Sequence, residues 1–265
     1  MLFELEAVGG PLAKRLARRR AGTESLDWAE LAKHATKPGA ADARIVWTQS
    51  AFSEYASAAS FAEIASGLLA AGAPIDLSAA AGDFVVDEMF HAELSARVAM
   101  ALGGAVPLEV DLGRLVRPPE AVRPLARVAE LIVRTSCVGE SLTVAILQTS
   151  RERAGASVIG EILLRLARDE AEHAELGWTF LDWADTRLSD DERADLGRVA
   201  SAAVESFAPL FTRACAEDGS LGVMSCATFD ASFAATLAHR VDEPLRARGI
   251  AISRDVLDRI ATLTR

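Results

Sequence analysis

The chain has 265 residues, 51% of them apolar and 25% charged, enough for one large domain or two small ones with a core that needs no disulfide or metal staple. Its 38 acidic and 28 basic residues leave a formal charge of −10, a field that repels a nucleic-acid backbone or an anionic membrane. The three scattered cysteines, Cys137, Cys215 and Cys226, contain no C-x-x-C pair, which excludes zinc ribbons and rubredoxin-type iron centres.

The N-terminal MLFELEAVGG carries Glu4 and Glu6 where a secretion signal would be basic, and no apolar run approaches the ~20 residues that span a bilayer. With the sparse cysteines, this predicts a cytoplasmic protein with no membrane partner. Ala, Leu, Glu and Arg dominate at a period of 3.6 with no alternating strand pattern, so the class is all-α. Two short helices are expected at about 10–20 and 24–36, the first presenting Lys14, Arg15, Arg18, Arg19 and Arg20 as a solvated face, the second opening at Thr23-Glu24-Ser25. Pro38-Gly39 breaks the chain, and a long helix runs over about 41–71. Gly72-Ala73-Pro74 stops it, and Asp76 or Ser78 caps a second long helix reaching Leu102. Residues 103–124, rich in Gly and Pro, form a long connection. A third helix extends to Arg153 and a fourth to Arg187. Ser189-Asp190-Asp191-Glu192 reads as a capping box for a fifth, ending near Ala216. Two shorter helices follow at about 228–240 and 253–264. Two short-turn pairs joined by one long crossover make a four-helix bundle, with additional N- and C-terminal helices. The expected organisation is an extension over 1–40, a bundle over 41–187 and C-terminal helices over 188–265 packed on it as one domain.

The strongest signal is an internal repeat. Helix two carries Asp87-Glu88-Met89-Phe90-His91-Ala92-Glu93-Leu94, and helix four carries Asp169-Glu170-Ala171-Glu172-His173-Ala174-Glu175-Leu176. Glu and His at i and i+3 share one helical face, so each motif offers a carboxylate and an imidazole to one metal ion. Two such helices serve two ions when each remaining helix adds a Glu. Glu140 lies in an apolar stripe with Val133, Cys137, Val144 and Leu147, and Glu54 lies between Trp47 and Phe61. Burying either carboxylate without a cation is costly, and a metal supplies the cation. Glu54 precedes Glu88 by 34 residues and Glu140 precedes Glu170 by 30, which puts ligands of antiparallel pairs at one level. Glu63 competes with Glu54 and fits almost as well by distance from the turn. It lies on roughly the opposite face, and the stripe around Glu54 is larger and more apolar.

The set Glu54, Glu88-x-x-His91, Glu140, Glu170-x-x-His173 resembles the ligand set of the ferritin-like di-iron carboxylate superfamily, over about 41–187. The resemblance implies that Glu88 and Glu170 bridge the two metals, that Glu54 and Glu140 are terminal ligands, and that the ions are two Fe, or Mn, or mixed Mn/Fe. Asp87 and Asp169 then hold the non-ligating nitrogen of the opposite His. Glu54-Tyr55-Ala56-Ser57-Ala58-Ala59-Ser60-Phe61 is also similar to a Glu-His-Ala-Ser-x-Ala-Ser-Phe stretch of an uncharacterised bacterial ferritin-like group, with Tyr55 in place of the His.

Carboxylates with one imidazole per ion suit Fe(II) and Mn(II), and the superfamily resemblance implies reduction of dioxygen or peroxide. The reading is a non-haem di-iron oxygenase or oxidase acting on a small organic substrate with an external electron donor, the extra helices building a pocket over the metals. A ferroxidase or rubrerythrin-type peroxidase and a non-catalytic scaffold are the alternatives, and a homodimer is compatible with the sequence. Cys137 and Thr143, three residues either side of Glu140, are candidates to face the metals, with core packing as the alternative. Tyr55, next to Glu54, points some 100° away from it. Trp47 and Trp178 are read as core filling rather than electron relays, and His34 and His239 as surface residues.

Overall fold

The computed structural model describes residues 1–18, 22–212 and 219–263. Its regular structure is helical, and among the described residues the only β-feature is an isolated antiparallel bridge between Leu2 and Glu109. No helix among them is long and apolar enough to cross a membrane.

Two short helices precede the bundle, α1 (Gly10–Ala17) and α2 (Trp28–Ala32). The second starts later than Thr23-Glu24-Ser25 suggests. Asp27 is its cap, its carboxylate accepting the Glu30 backbone N–H at 2.9 Å, and one such cap is what an orphaned first turn requires. The bundle begins with α3 (Ala40–Ala70), entered through Gly39 at φ +82, and α4 (Ile75–Ala101). Neither Asp76 nor Ser78 is the cap of α4. Pro74 takes that place, and Ser78 Oγ donates back to the Pro74 carbonyl at 3.4 Å. The third bundle helix is α5 (Pro124–Ile132), a π-helical stretch (Val133–Glu140) and α6 (Ser141–Ala154) in unbroken succession. The fourth is α7 (Val158–Ala184), capped by Ser157. Then come α8 (Asp190–Glu205), α9 (Cys226–Thr236), a second π-helical stretch (Leu237–Asp242), α10 (Glu243–Ala247) and α11 (Arg254–Leu263). Ser189 and Glu192 form the reciprocal capping box of α8. That helix ends at Glu205, well short of Ala216, which lies outside the described residues.

The bundle pairs α3 with α4 and α6 with α7. The connection after α4 climbs the length of the bundle. Near its start Arg44 on α3 donates to the Gly104 carbonyl at 2.6 Å and Val106 N–H donates to Thr48 Oγ1 at 3.1 Å. At its end Val128 on α5 lies 3.0 Å from a Cβ placed on Gly67, near the far end of α3. The third helix therefore runs antiparallel to α3, and Ser57 meets Glu140 at mid-height. Glu130, fully inside, ties down the crossover: its two oxygens accept the backbone N–H groups of Glu120 and Ala121, both at 2.8 Å. Two apolar clusters fill the interior. One holds Phe61, Phe84, Val138 and Phe180 with the C-terminal helices; the other holds Trp47, Phe90, Leu94 and Leu166.

Candidate metal centre

Between the two apolar clusters lies a polar layer. Glu88, His91, Glu170 and His173 are all 0% exposed, and Glu140 is 6% exposed. These side chains are long and charged or polar, a class almost never buried unless paired. The repeated i, i+3 spacing turns the acid and imidazole of each motif inward from α4 and α7, and the antiparallel packing brings Glu88 opposite His173 and His91 opposite Glu170.

Both imidazoles present Nδ1 to the carboxylates. His91 Nδ1 lies 3.1 Å from Glu170 Oε1 and 3.6 Å from Glu88 Oε2; His173 Nδ1 lies 2.7 Å from Glu170 Oε2 and 3.1 Å from Glu88 Oε1. Each Nε2 faces the aspartate of the opposite motif, His91 to Asp169 Oδ2 at 3.1 Å and His173 to Asp87 Oδ2 at 4.0 Å. Asp169 is held by Arg165 Nε at 3.1 Å. Glu54 enters from α3, with a carboxylate oxygen in a group whose atoms from Glu54, Glu88, His91 and Glu170 all lie within 4.8 Å of one another. Glu140 enters from the π-helical stretch, its Oε1 accepting the Ser57 hydroxyl at 2.9 Å. The structure thus brings together all six residues singled out in the sequence and both aspartates, while Glu63 is exposed on the outside of α3.

The electrostatics are those of a crowd of like charges around two bases. Burial pushes the carboxyls of Glu54 and Glu140 well above the ordinary range, and the neighbouring Glu170 and Glu88 push them further. Burial alone would raise Glu170 too, but the two imidazoles hold it well below its usual value. Burial opposes charge on His173, yet the carboxylates of Asp87, Glu170 and Glu88 outweigh it and push the ring up to about 12. His91 is raised in the same way, against burial, by Asp169, Glu170 and Glu88. Both oxygens of Glu88 are buried without a well-formed hydrogen bond, their ion-pair contacts being the two imidazole Nδ1 atoms that also face Glu170. Leaving a buried carboxylate so costs far more than leaving a surface one, and the group it belongs to is one that could hold a metal ion.

Above this layer, on the side of Glu54 and Glu140, lies a cavity of about 420 Å³ between α3, the π-helical stretch, α6, α8 and α9. Thr143 lines it; Cys137 does not. A Cβ placed on Gly177 would meet Cys137 Sγ at 2.7 Å, so that thiol fills the gap between the third helix and α7, and burial raises its pKa far above the usual range. Tyr55 turns outward, its ring edge-on to Phe3 at 5.6 Å. Trp47 is buried and donates to the Leu221 carbonyl at 2.9 Å. Three contributors were not read from the sequence: Ser57, Arg165 and the π-helical stretch. Ser57 follows Glu54 by one turn and Arg165 precedes Asp169 by one turn, so spacing carried a signal for both. No short-range pattern marks a π-helix, which is a response to packing.

No family model matches the chain, and no curated protein matches it. Among solved structures, two variants of an R2-like ligand-binding oxidase superpose on it with TM-scores of 0.51 and 0.50 at 15% identity, covering 96% of this chain and 90% and 91% of theirs. One carries an aerobically and the other an anaerobically reconstituted Mn/Fe cofactor.

The chain has a ferritin-like fold. The likeness is one of backbone path, so what the side chains do rests on the geometry above.

Proposed function

We propose that Glu54, Glu88, His91, Glu140, Glu170 and His173 hold two metal ions, and that the protein is an oxygen-activating oxidase or oxygenase of a small organic substrate. The observation that carries the reading is Glu88. Its carboxylate is completely buried and meets only the two imidazoles that Glu170 shares and the carboxylate of Glu54, without a well-formed hydrogen bond to either oxygen. Two divalent cations balance the four carboxylates and turn the costliest feature of the core into its best-compensated one. The donor set, oxygen-rich with one imidazole nitrogen per ion, suits Fe(II) and Mn(II) over Zn and Cu(I), and a Mn/Fe pair is what the neighbours of like fold carry. Such a pair, when bound, supplies two-electron reduction of dioxygen.

The chain's own residues do the rest. Asp169, braced by Arg165, accepts a hydrogen bond from His91 Nε2–H, which keeps the proton on that nitrogen and leaves Nδ1 free to ligate; Asp87 faces His173 Nε2 in the same sense. The Ser57 hydroxyl positions Glu140. Phe61 and Phe84, with ring centroids 5.1 and 4.3 Å from that of His173, fill the space below it and exclude water. The cavity over Glu54 and Glu140 is of the size that takes small organic molecules, which favours an organic substrate over storage of iron. The absence of any C-x-x-C in the sequence points to a separate electron donor, and the sparse cysteines to a reducing cytoplasm.

Elemental analysis of protein expressed with iron and manganese, then anaerobic Fe(II) loading and exposure to oxygen under an optical spectrometer, tests the reading. About two ions per chain and an oxygen-dependent transient absorption are expected from a paired site. Substoichiometric metal and no oxygen-dependent change would leave the bundle as a scaffold.

A further inference from the structure

Apart from Glu54 and Glu140, the side chains that face the large cavity among the described residues carry no charge. Arg134 meets it through its backbone: its carbonyl lies 3.3 Å from a Cβ placed on Gly139, while its guanidinium reaches the Arg117 carbonyl at 2.6 Å. The two walls differ in kind. Ile146, Leu147, Leu210 and Phe229 make one of them apolar, whereas α3 supplies a row of hydroxyls, Ser50, Ser53 and Ser57, at helical spacing. Ser57 meets Glu140, so the antiparallel register sets Thr143 of α6 level with Glu54, and Leu147 level with Ser50. Several helical hydroxyls of the chain are spent on the carbonyl one turn earlier: Thr48 on Arg44 at 2.7 Å, Ser60 on Ala56 at 3.2 Å and Thr149 on Ala145 at 2.8 Å. Ser57 is spent on Glu140. Among the described residues, the hydroxyls of Ser50, Ser53 and Thr143 have no hydrogen-bond partner. Each is free to donate to and accept from whatever fills the cavity.

We propose that the substrate is an uncharged organic molecule with an apolar body and one hydrogen-bonding end, an alcohol or a carboxamide, and that the hydroxyls of Ser50, Ser53 and Thr143 take that end. This rests on the oxidase reading and adds the chemical class and orientation of what enters. Charge disfavours ions of either sign. An organic anion would leave water for a cavity that faces it with two carboxylates and, among the described residues, no cation, and burying a charge without a partner is costly. An organic cation would find the pull of Glu54 and Glu140 cancelled once two divalent ions are bound. A pure hydrocarbon would strip water from three hydroxyls and give nothing back. A molecule with one neutral polar end avoids all three costs, its body lying on Leu147, Leu210 and Phe229.

The test is equilibrium dialysis of the metal-loaded and the metal-free protein against matched end groups: 4-phenylbutanol, 4-phenylbutyramide, 4-phenylbutyrate and butylbenzene, and the corresponding hexanol, hexanamide, hexanoate and hexane. In both forms of the protein, at least one alcohol or amide is expected to bind about tenfold or more tighter than its carboxylate. Ser50→Ala combined with Thr143→Val is expected to weaken that ligand by about fivefold or more, the measure of one or two neutral hydrogen bonds. The same variant leaves hydrocarbon binding and metal content at the wild-type level. Thr143→Ser in place of Thr143→Val restores most of the loss, and the two single variants serve if the double one does not fold. A carboxylate that binds as tightly as its alcohol and amide overturns the proposal; if that affinity vanishes on metal removal, the anion sits on the metals. Equal weakening of polar and hydrocarbon ligands in the variant overturns it too, as does no binding of any neutral ligand. Loss of the oxidase reading would show in metal content of the wild type; loss of this one would show in the dialysis of the metal-free protein, with metal content intact.

Discussion

At the scale of single residues, the centre is a set of groups that are each unfavourable alone. Glu88 is buried without a well-formed hydrogen bond to either oxygen, and Glu54 and Glu140 are driven toward their protonated forms by burial and by the neighbouring Glu170 and Glu88. A metal is the common solution, so removing a ligand should be felt in metal content before it is felt in fold. His91→Ala and Glu170→Ala are expected to lose most of the bound metal, read by elemental analysis of the purified variants; near-stoichiometric metal in either would refute the assignment. Glu63→Ala, altering an exposed residue on the outside of α3, is expected to leave metal content and melting temperature within experimental scatter, as surface changes usually do. Ser57 reaches the centre through its hydrogen bond to Glu140. Ser57→Ala is expected to keep both ions but weaken the one that Glu140 holds, by up to about 10–100-fold, measured by competition with a chelator.

Secondary-structure elements hold these residues by unusually close contacts. The third bundle helix passes α7 where Gly177 faces Ser136 and Cys137, and a Cβ on that glycine would sit 2.7 Å from Cys137 Sγ and 3.0 Å from the Cys137 backbone nitrogen. Backbone and a fully buried side chain have nowhere to go. Gly177→Ala is expected to destabilise the protein by about 1–3 kcal/mol through overpacking, seen as a lower denaturant midpoint, even though alanine favours a helix. Gly177 follows His173 by one turn, so the same strain is transmitted to the metal layer. At the start of α8 the capping box is reciprocal, with Ser189 Oγ accepting the Glu192 N–H and Glu192 Oε2 accepting the Ser189 N–H at 2.9 Å. Glu192 also pairs with Arg123 at the start of α5, so this cap docks an outer helix onto the bundle. Ser189→Ala is expected to cost about 1 kcal/mol.

For the molecule as a whole, metal and fold are linked. Without ions, protons do part of the neutralising: His91 and His173 have raised affinity for theirs, as have Glu54 and Glu140. The sign follows residue by residue. The raised imidazole values add stability to the metal-free fold at acid pH, and that contribution is lost as pH rises through their folded values. The raised carboxyl values of Glu54 and Glu140 make their ionisation a burden that grows above the ordinary carboxyl range. Metal must displace these protons to bind, so loading is expected to strengthen as pH rises from about 5 to 8, with proton release. Loading is also expected to raise the melting temperature, by the equivalent of about 2.7 kcal/mol at a hundredfold excess over the dissociation constant. Thermal scans with and without chelator at several pH values check both signs; a metal increment that shrinks with rising pH would contradict the linkage.

Much of this was legible before any coordinates. The all-α class, the long α3 and α4, the crossover and the box at Ser189 follow from local rules: period 3.6, Gly and Pro as stops, Ser and Asp as caps. The paired D-E-x-x-H motifs were legible for a further reason, because residues one turn apart on a helix must share a face whatever that helix packs against. Tertiary packing decided what depends on a partner. Helix α2 shortened to the cap at Asp27, and α8 stopped at Glu205. Glu130, as buried as a ligand, went to the crossover backbone, while Glu140, ten residues on, went to the metal layer. The third helix widened into a π-helix at Val133–Glu140, where it passes Gly177 closely, and that stretch carries Glu140. A single chain of residues determines its own faces and ends; which faces meet, which buried charges find cations and where a cavity is left over are properties of pairs of helices, and only their packing decides them.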